Sequence, residues 1–476
     1  MSPRPVFVIA VPLDEPCADL LAGHGDADVH RLDVVAPGNL LVGLERLRAT
    51  HAVLSTAQFD ALRLHPAFAL ADLDTLGKIY LVGDAPLPVV AGLDVQRLAT
   101  TRRDPAVAVD GEIVAADTDK RLAGADYTAG RIATEALSAA ALHSMLDGLR
   151  RAGAFIDADD VLNATDLLER VRADPHQRTL LRRWLRVLTA EGLLRHHEGR
   201  FRLASGHATE ATPDWDHVER LWLAAGDTAH TLRFARDAAS ALPELIDGSL
   251  KAVHLLFPQG DLALAHALYR ESIAARYQHA AVASCLSRIA QSRQGARLRI
   301  LEAGGGTGAT TDQAWPALRD HDVDYLFTDV SRFFLQQVEA RHPGLRTGLY
   351  DIDRSPAGQG HAVGSIDVIV AGGVLNAARN TDASLRWLAS LLAPGGWLVL
   401  SEPTIEEYWV MASQAFMLAE PDDERAASQS TFLSHAQWLD ALAGAGLQTL
   451  VDLPPPGHPL ASLGHRVFST QIAPTP

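Results

Sequence analysis

The sequence predicts an α/β protein centred on a Rossmann-like, doubly wound sheet. Three observations carry this. A short apolar strand, Leu298-Arg299-Ile300-Leu301-Glu302, runs into the glycine turn Ala303-Gly304-Gly305-Gly306-Thr307-Gly308. A helix-like run follows the turn. The next apolar stretch, Tyr325-Leu326-Phe327-Thr328, ends on an acid, Asp329. Strand, glycine turn, helix and acid-ended strand make the first β-α-β unit of such a sheet. Glycine at 304, 306 and 308 permits a tight turn and a close approach of the backbone to a ligand.

The order of residues in the turn bears on which ligand. Nicotinamide-binding loops read G-x-G-x-x-G, whereas this one reads acid-x-Gly-x-Gly-x-Gly with Glu302 closing the strand. That order suits S-adenosylmethionine (SAM), which has no pyrophosphate to seat on a helix N-terminus. SAM carries an ammonium group, which Glu302 could hold directly or through water. Asp329, at the carboxyl end of the second strand, could accept both ribose hydroxyls.

Composition narrows the class. The 476 residues are enough for two or three domains, and 47% are apolar. The net charge of -16 opposes binding to nucleic acid or to an anionic membrane unless a local basic face offsets it. Cys17 and Cys285 lie far apart, outside any CxxC spacing. They argue against a disulfide framework or a zinc site, so no metal is expected, and they suit a reducing cytoplasm. The apolar run at 5–12 is too short for a signal segment and meets Asp14 and Glu15 at once. No stretch reaches the length of a membrane span.

Residues 1–115 read as a small α/β module. Val6–Val11 is apolar throughout and stops at Pro12, and Ile79–Asp84 reads as another strand. The segment from 51 to 88 faintly resembles part of an adenylate-forming domain. The phosphate loop and catalytic lysine region of that family are missing, so the module is expected to be a non-catalytic remnant or docking piece. Residues 126–295 read as a helical cap. Ala133–Leu149 and Leu180–Leu188 have helical apolar spacing, and Arg195–Leu203 reads as a hairpin, giving a winged-helix-like part. Arg182, Arg183, Arg186, Arg195, Arg200 and Arg202 cluster there, expected as a face of the cap rather than a DNA-binding surface. A polar linker spans 205–215, and the cap ends in a long helical run, Ala263–Arg288. Residues 296–476 read as the catalytic domain.

One resemblance is specific. The cap carries Leu255-Leu256-Phe257-Pro258-Gln259-Gly260 and Leu268-Tyr269-Arg270-Glu271-Ser272 ahead of the glycine turn. After it come Tyr350-Asp351-Ile352-Asp353, Leu392-Ala393-Pro394-Gly395-Gly396-Trp397, Ser401-Glu402-Pro403-Thr404 and Thr431-Phe432-Leu433-Ser434. This set resembles the SAM-dependent methyltransferase domains embedded in nonribosomal peptide and polyketide synthetases. It covers about half the chain strongly and the region from 126 more weakly. The resemblance implies a class I methyltransferase fold with SAM as cofactor, and a small-molecule or carrier-bound substrate. It also implies a synthetase partner, and a homodimer is possible.

It further implies roles for residues. Glu302, Gly304, Gly306 and Gly308 would hold the methionine end of SAM. Asp329 would hold the ribose with Phe333 or Phe334 beside it. Asp351 and Asp353 would reach the adenine or, alternatively, cap a turn. Carbon-methylating members place a histidine after the fourth strand, where it works with a glutamate as a base. Here that position is Asn376, in Val374-Leu375-Asn376-Ala377-Ala378, while Glu402 is kept. A carboxamide is no general base near neutral pH. Asn376 is therefore expected to orient an amine or carboxylate, or to be a structural relic. His435, His458 and His465 are candidate substitutes, each also readable as structural. Tyr408 and Trp409 could face the sulfonium or simply pack in the core.

Three functions follow. The first is methyl transfer from SAM to an amino-acid-like or carrier-bound acceptor. The second is cyclisation of SAM to azetidine-2-carboxylate with release of methylthioadenosine, as in the azetidine synthases that the stretch also resembles. The third is an epimerising or non-enzymatic synthetase partner.

Overall fold

The computed structural model describes residues 4–11, 26–32, 36–82, 93–98, 109–204, 213–227, 229–293 and 297–472, with Cys17, Leu20, Leu21, His24 and Val90 singly. The expected turn residues Pro12, Gly83, Asp84 and Pro88, and most of the linker at 205–215, lie outside the described residues. The chain divides into two compact units, one of residues 1–106 with 360–364 and 474–476, the other of residues 107–359 and 365–473.

The first unit is a parallel five-stranded sheet. Its strands are β1 (Val6–Ile9), β2 (Asp28–Arg31), β3 (His51–Ser55), β4 (Lys78–Val82) and β5 (Asp94–Arg97), in the order β2-β1-β3-β4-β5. Alternate residues of β1, β3 and β4 are buried on opposite faces, Val8, Leu54 and Leu81 with one core and Phe7, Val53 and Tyr80 with the other. Ser55 and Gln58 form a capping box that starts the helix Thr56–Arg63 directly from β3.

In the second unit the helix Gly111–Arg121 buries Val114 in the core that also holds Ile273, Tyr277 and Ile289. Sequence reading assigned residues 107–115 to the front module. Residues 107 and 108 lie outside the described residues; Val109, Val114 and Ala115 instead pack with the core beneath the catalytic sheet. The cap is built on the 25-residue helix Tyr127–Arg151, with Trp215–Ala224 and Ala229–Ser240 beside it. The winged-helix-like part comprises helices Ala164–Arg170 and Arg178–Ala190 and a small antiparallel sheet. That sheet has β6 (Leu162–Asn163), β7 (Leu194–His197) and β8 (Arg200–Leu203) in the order β6-β8-β7. Trp184 anchors it, fully buried, with Nε1–H donating to the Met411 carbonyl at 3.2 Å. Removing such a side chain from water contributes about 1.5–3 kcal/mol. Two of the predicted basic residues are held by the fold, one inside it and one at its surface. Arg183 is buried, and Arg186 donates to the Ser428 and Gln429 carbonyls at 2.5 Å each.

The catalytic sheet has seven strands. They are β9 (Leu298–Glu302), β10 (Val323–Asp329), β11 (Arg346–Leu349), β12 (Ile366–Gly372), β13 (Leu392–Pro403), β14 (Leu447–Leu453) and β15 (His465–Ile472), in the order β11-β10-β9-β12-β13-β15-β14. All pairings are parallel except those of β15 with β13 and β14. The order reverses between β9 and β12, where ligands bind in open α/β sheets. The long helical run expected over Ala263–Arg288 is broken. One helix is Ala263–Leu268, and a second, Ile273–Ser292, starts at Ser272, whose hydroxyl caps the Ala275 N–H. Apolar periodicity continues through the break, so the sequence hides it; the break lets Arg270 reach the glycine turn.

Candidate active site

The turn after β9 needs its glycines for different reasons. Gly304, Gly306 and Gly308 all have positive φ, at 60°, 54° and 75°. A Cβ on Gly304 would lie 2.2 Å from Val374 Cγ2, and one on Gly308 would lie 2.5 Å from Arg341 Nη2. A Cβ on Gly306 would meet nothing within 4 Å. Gly304 and Gly308 therefore serve packing, while Gly306 presents bare backbone to open space, the surface a ligand can approach.

Asp329, ending β10, is pinned to that tip. Its Oδ2 accepts the Gly306 N–H at 2.9 Å and its Oδ1 accepts the Ser331 N–H at 2.8 Å. A carboxylate has about four lone-pair sites, so capacity remains for a diol. Asp329→Ala is expected to weaken SAM binding about tenfold or more, the order for losing charge-assisted hydrogen bonds. Calorimetry with unchanged affinity would contradict this role. Phe333, 47% exposed, opens the helix Arg332–Arg341, and its ring lies 5.9 Å from that of Phe334. It offers an exposed aromatic face beside Asp329.

Glu302 is fully buried. Its Oε2 accepts from the Thr311 and Tyr325 hydroxyls at 2.6 and 2.8 Å, while Oε1 is buried with no hydrogen-bond partner among the described residues. Burial pushes its carboxyl up to about 7, against the two hydroxyl donors. A buried carboxylate oxygen without a donor suits an ammonium group, directly or through one water. With the bare backbone at Gly306 and the acid at 329, the residues present fit SAM.

Asp351 and Asp353 make turn contacts. Asp351 Oδ1 accepts the Asp353 N–H at 3.0 Å, and Asp353 Oδ1 accepts the Arg379 N–H at 2.9 Å. Asp351 thus closes a local turn, and Asp353 ties the loop after β11 to the loop after β12.

Asn376 and Glu402 come together. Asn376 Nδ2 donates to Glu402 Oε2 at 2.8 Å, joined by the Asn376 N–H at 3.2 Å, and the Leu375 N–H donates to Oε1 at 2.8 Å. Glu402 is fully buried, and burial pushes it up to about 7 despite these donors and the nearby Arg425 charge. Because Glu402 takes the amide nitrogen, the other branch of the Asn376 amide, Oδ1, is presented as an acceptor.

Tyr408 is not brought to this site. Its hydroxyl donates to Glu191 Oε1 at 2.6 Å, and its ring packs with the winged-helix core around Trp184 and Met411. The short helix Tyr408–Met411 turns it toward the cap, so its sequence-based role at the sulfonium is replaced by packing. The histidines separate as well. His435 pairs with Asp452 at 2.7 Å beside the Phe468 ring, and His458 sits against the rings of Tyr127 and Tyr277. His465 pairs with buried Glu407 at 3.1 Å.

Three residues that grip the site were missed in sequence. Arg270 donates through Nε to Asp312 at 2.8 Å and through Nη1 and Nη2 to Thr307 Oγ1 and O at 2.9 and 2.6 Å. His279 Nε2 donates to the Tyr269 carbonyl at 2.8 Å, which leaves Nδ1 to accept from Thr310 Oγ1 at 3.3 Å. Burial holds this imidazole below its ordinary pKa, as that neutral tautomer requires. Arg425, 2% exposed, donates to the Asn376 and Ala378 carbonyls at 2.5 Å each and to Asp423 at 2.7 and 2.9 Å. Only Arg270 had a signal, the Leu268-Tyr269-Arg270 string.

The doubly wound sheet and its acid-and-glycine turn define a class I SAM-dependent methyltransferase domain. A family model described as a methyltransferase domain matches residues 301–398. The chain is 32% identical over 425 residues to pyochelin synthetase PchF of Pseudomonas aeruginosa (strain UCBPP-PA14), covering 87% of this chain and 23% of that synthetase. It is 37% identical over 230 residues to polyketide synthase ThaG of Burkholderia thailandensis, covering 46% of this chain and 4% of that synthase. The CurJ carbon methyltransferase structure superposes with a TM-score of 0.69 at 26% identity, covering 77% of this chain and 99% of that one. The DszA carbon methyltransferase, at 24% identity, 77% and 95% coverage and a TM-score of 0.64, shares the fold. The chain thus carries a SAM-dependent methyltransferase domain of the kind found in nonribosomal peptide and polyketide synthetases, and SAM is its cofactor. It spans less than a quarter of the length of the synthetases it matches. Among the described residues no helix is long and apolar enough to cross a membrane, and no group of metal-ligating side chains is assembled.

Proposed function

We propose that this protein methylates an amine on an amino-acid-like substrate, free or carrier-bound, in the biosynthesis of a nonribosomal peptide or polyketide. When bound, SAM supplies an electrophilic methyl group on a sulfonium. The observation that carries the reading is the Asn376–Glu402 pair. Forming a carbanion needs a base where carbon-methylating members have histidine, and an amide cannot remove that proton. An amine needs no carbanion; it needs its lone pair aimed and its water removed. Glu402 fixes the amide through Nδ2, so Oδ1 can accept an N–H of the acceptor and set its direction. Glu302, Gly306 and Asp329 would hold SAM, and Phe333 offers a stacking face for its adenine. The residue 1–106 unit is read as a non-catalytic or docking piece.

The same amide could equally aim the α-amine of SAM itself at its own Cγ, giving azetidine-2-carboxylate and methylthioadenosine. One experiment separates the two. The pure protein is incubated with SAM alone, then with SAM and amino-acid or amino-acyl thioester acceptors, and the nucleoside is identified by mass. S-adenosylhomocysteine appearing only with an amine acceptor is the expected result. Methylthioadenosine from SAM alone, well above spontaneous decay, would replace this reading with the cyclisation.

A further inference from the structure

A buried arginine carries five N–H donors and a charge it cannot lose, so it needs partners. Arg425 and Arg466 have theirs. Arg425 donates to two carbonyls and to Asp423, and Arg466 donates to Asp452 and the Pro454 carbonyl. Arg183 is 7% exposed and has none. Among the described residues its guanidinium makes no hydrogen bond and no ion pair, and its Nε is buried.

The surrounding contacts place Arg183 beside the Asn376 loop. It lies on the helix Arg178–Ala190 one turn before Arg186, on the same face. Arg186 reaches the Ser428 and Gln429 carbonyls and lies 3.9 Å from Glu406 Oε1. Ser428 ends the short helix Glu424–Ser428, whose Arg425 holds the Asn376 and Ala378 carbonyls. Glu406 follows Glu402 by four residues, in the segment leaving the carboxyl end of β13, where open α/β sheets take ligands. Burial lowers the pKa of Arg183; the charges of Glu420 and Glu406 raise it, and those of Arg186 and Arg425 lower it further. None of these groups bonds to it. Glu420 is exposed, Glu406 Oε1 accepts the Thr431 N–H at 2.5 Å, and Arg425 is paired with Asp423. Glu406 Oε2 and Thr431 Oγ1 are also buried without hydrogen-bond partners among the described residues. A guanidinium, a hydroxyl and a carboxylate oxygen thus stand near one another with their bonding capacity unused.

We propose that Arg183 binds an oxyanion of the acceptor through its guanidinium fork, with the Thr431 hydroxyl as a further donor. The inference rests on the amine-methylation reading and deepens it: the acceptor carries a negative group as well as its amine. Two kinds of acceptor do. A free amino acid brings its carboxylate, and a carrier-bound aminoacyl group brings the phosphate of its phosphopantetheine arm. Glu406 Oε2 would accept an N–H of the same ligand. A side chain that only filled this space would be better apolar, because an unpaired buried charge is costly.

The test uses the full chain, wild type and Arg183→Met, with SAM and two pairs of acceptors. One pair is an amino acid and its amide; the other is an aminoacyl phosphopantetheine thioester and the same thioester without its phosphate. Methionine fills the space and removes the charge, so the variant is expected to fold. Wild type should prefer the charged member of one pair by about ten- to a hundredfold in kcat/KM, the scale of a charge-assisted hydrogen bond. Arg183→Met should lose that preference through the acceptor KM rather than kcat. Arg183→Lys, which keeps the charge but not the fork, should fall between. Preference within the first pair identifies a carboxylate, and within the second a phosphate. Equal use of both members of each pair by wild type, or a preference kept in Arg183→Met, overturns the inference and leaves amine methylation standing. If wild type turns over no amine, the function reading has failed and the inference is judged by nitrogen NMR. The Arg183 Nε–H signal, assigned by its loss in Arg183→Met, should move when acetate or inorganic phosphate is added to the S-adenosylhomocysteine complex. A signal that moves with neither overturns the inference as well.

Discussion

Replacing Arg425 by alanine is expected to cost about 3–5 kcal/mol of stability, the range for breaking a buried ion pair by removing one partner. Arg425 and Asp423 are 3% and 2% exposed at their side chains. Arg425 holds the Asp423 carboxyl below the usual range even though burial works against this. Alanine would strand that charge and leave the Asn376 and Ala378 carbonyls without their donor. The loop carrying Asn376 would loosen with it. All eight tryptophans lie between residues 184 and 438, inside the second unit. Tryptophan fluorescence during urea unfolding therefore reports on the catalytic unit without the front module. A loss below about 1 kcal/mol, the typical scale of a surface pair, would contradict this account. Changing both partners, Arg425→Met with Asp423→Asn, should recover part of the loss, because no buried charge remains.

The second large effect is on turnover. Asn376→Ala should reduce kcat by about a hundred- to a thousandfold, the range for deleting one preorganised polar group at a reacting centre. SAM affinity should change by less than about threefold, because Glu302, Gly306 and Asp329 are untouched. A fall in kcat at constant SAM affinity is the signature of lost orientation, whereas a fall in both would mean a collapsed loop. Asn376→His restores the residue type of the carbon-methylating members, with Glu402 still positioned to take a ring N–H. Its amine methylation should drop with the alanine variant, since the acceptor oxygen is gone. Wild-type turnover in Asn376→Ala would sink the orienting role and leave Asn376 as packing.

Much of this molecule was legible without coordinates. The glycine turn, the acids at 302 and 329 and the cap motifs are local patterns, because strand alternation, tight turns and helix starts are decided by neighbours in the chain. These patterns marked the glycine turn and Asn376 as the residues to look at. Contacts made across long separations were not legible. Arg270 grips a turn 37 residues away, and Arg425 grips a loop 49 residues before it. Nothing in the periodicity of Ala263–Arg288 reveals the break at Ser272 that frees Arg270. Tyr408 follows Glu402 closely in sequence, but the helix at 408 turns it toward Glu191, so proximity along the chain misled.

The sequence by itself determined which ligand the turn suits, the fold class, and that the usual base is absent. Only the tertiary structure decided which histidine meets a buried carboxylate at the strand end. Three candidates have the same chemistry and no distinguishing local pattern. The antiparallel return of β15 beside β13 carries His465, from 62 residues further on, to Pro403, and it leaves His435 and His458 with Asp452 and the tyrosine pair. Side-chain identity fixes what a group can do. The crossing of distant strands fixes what it can reach.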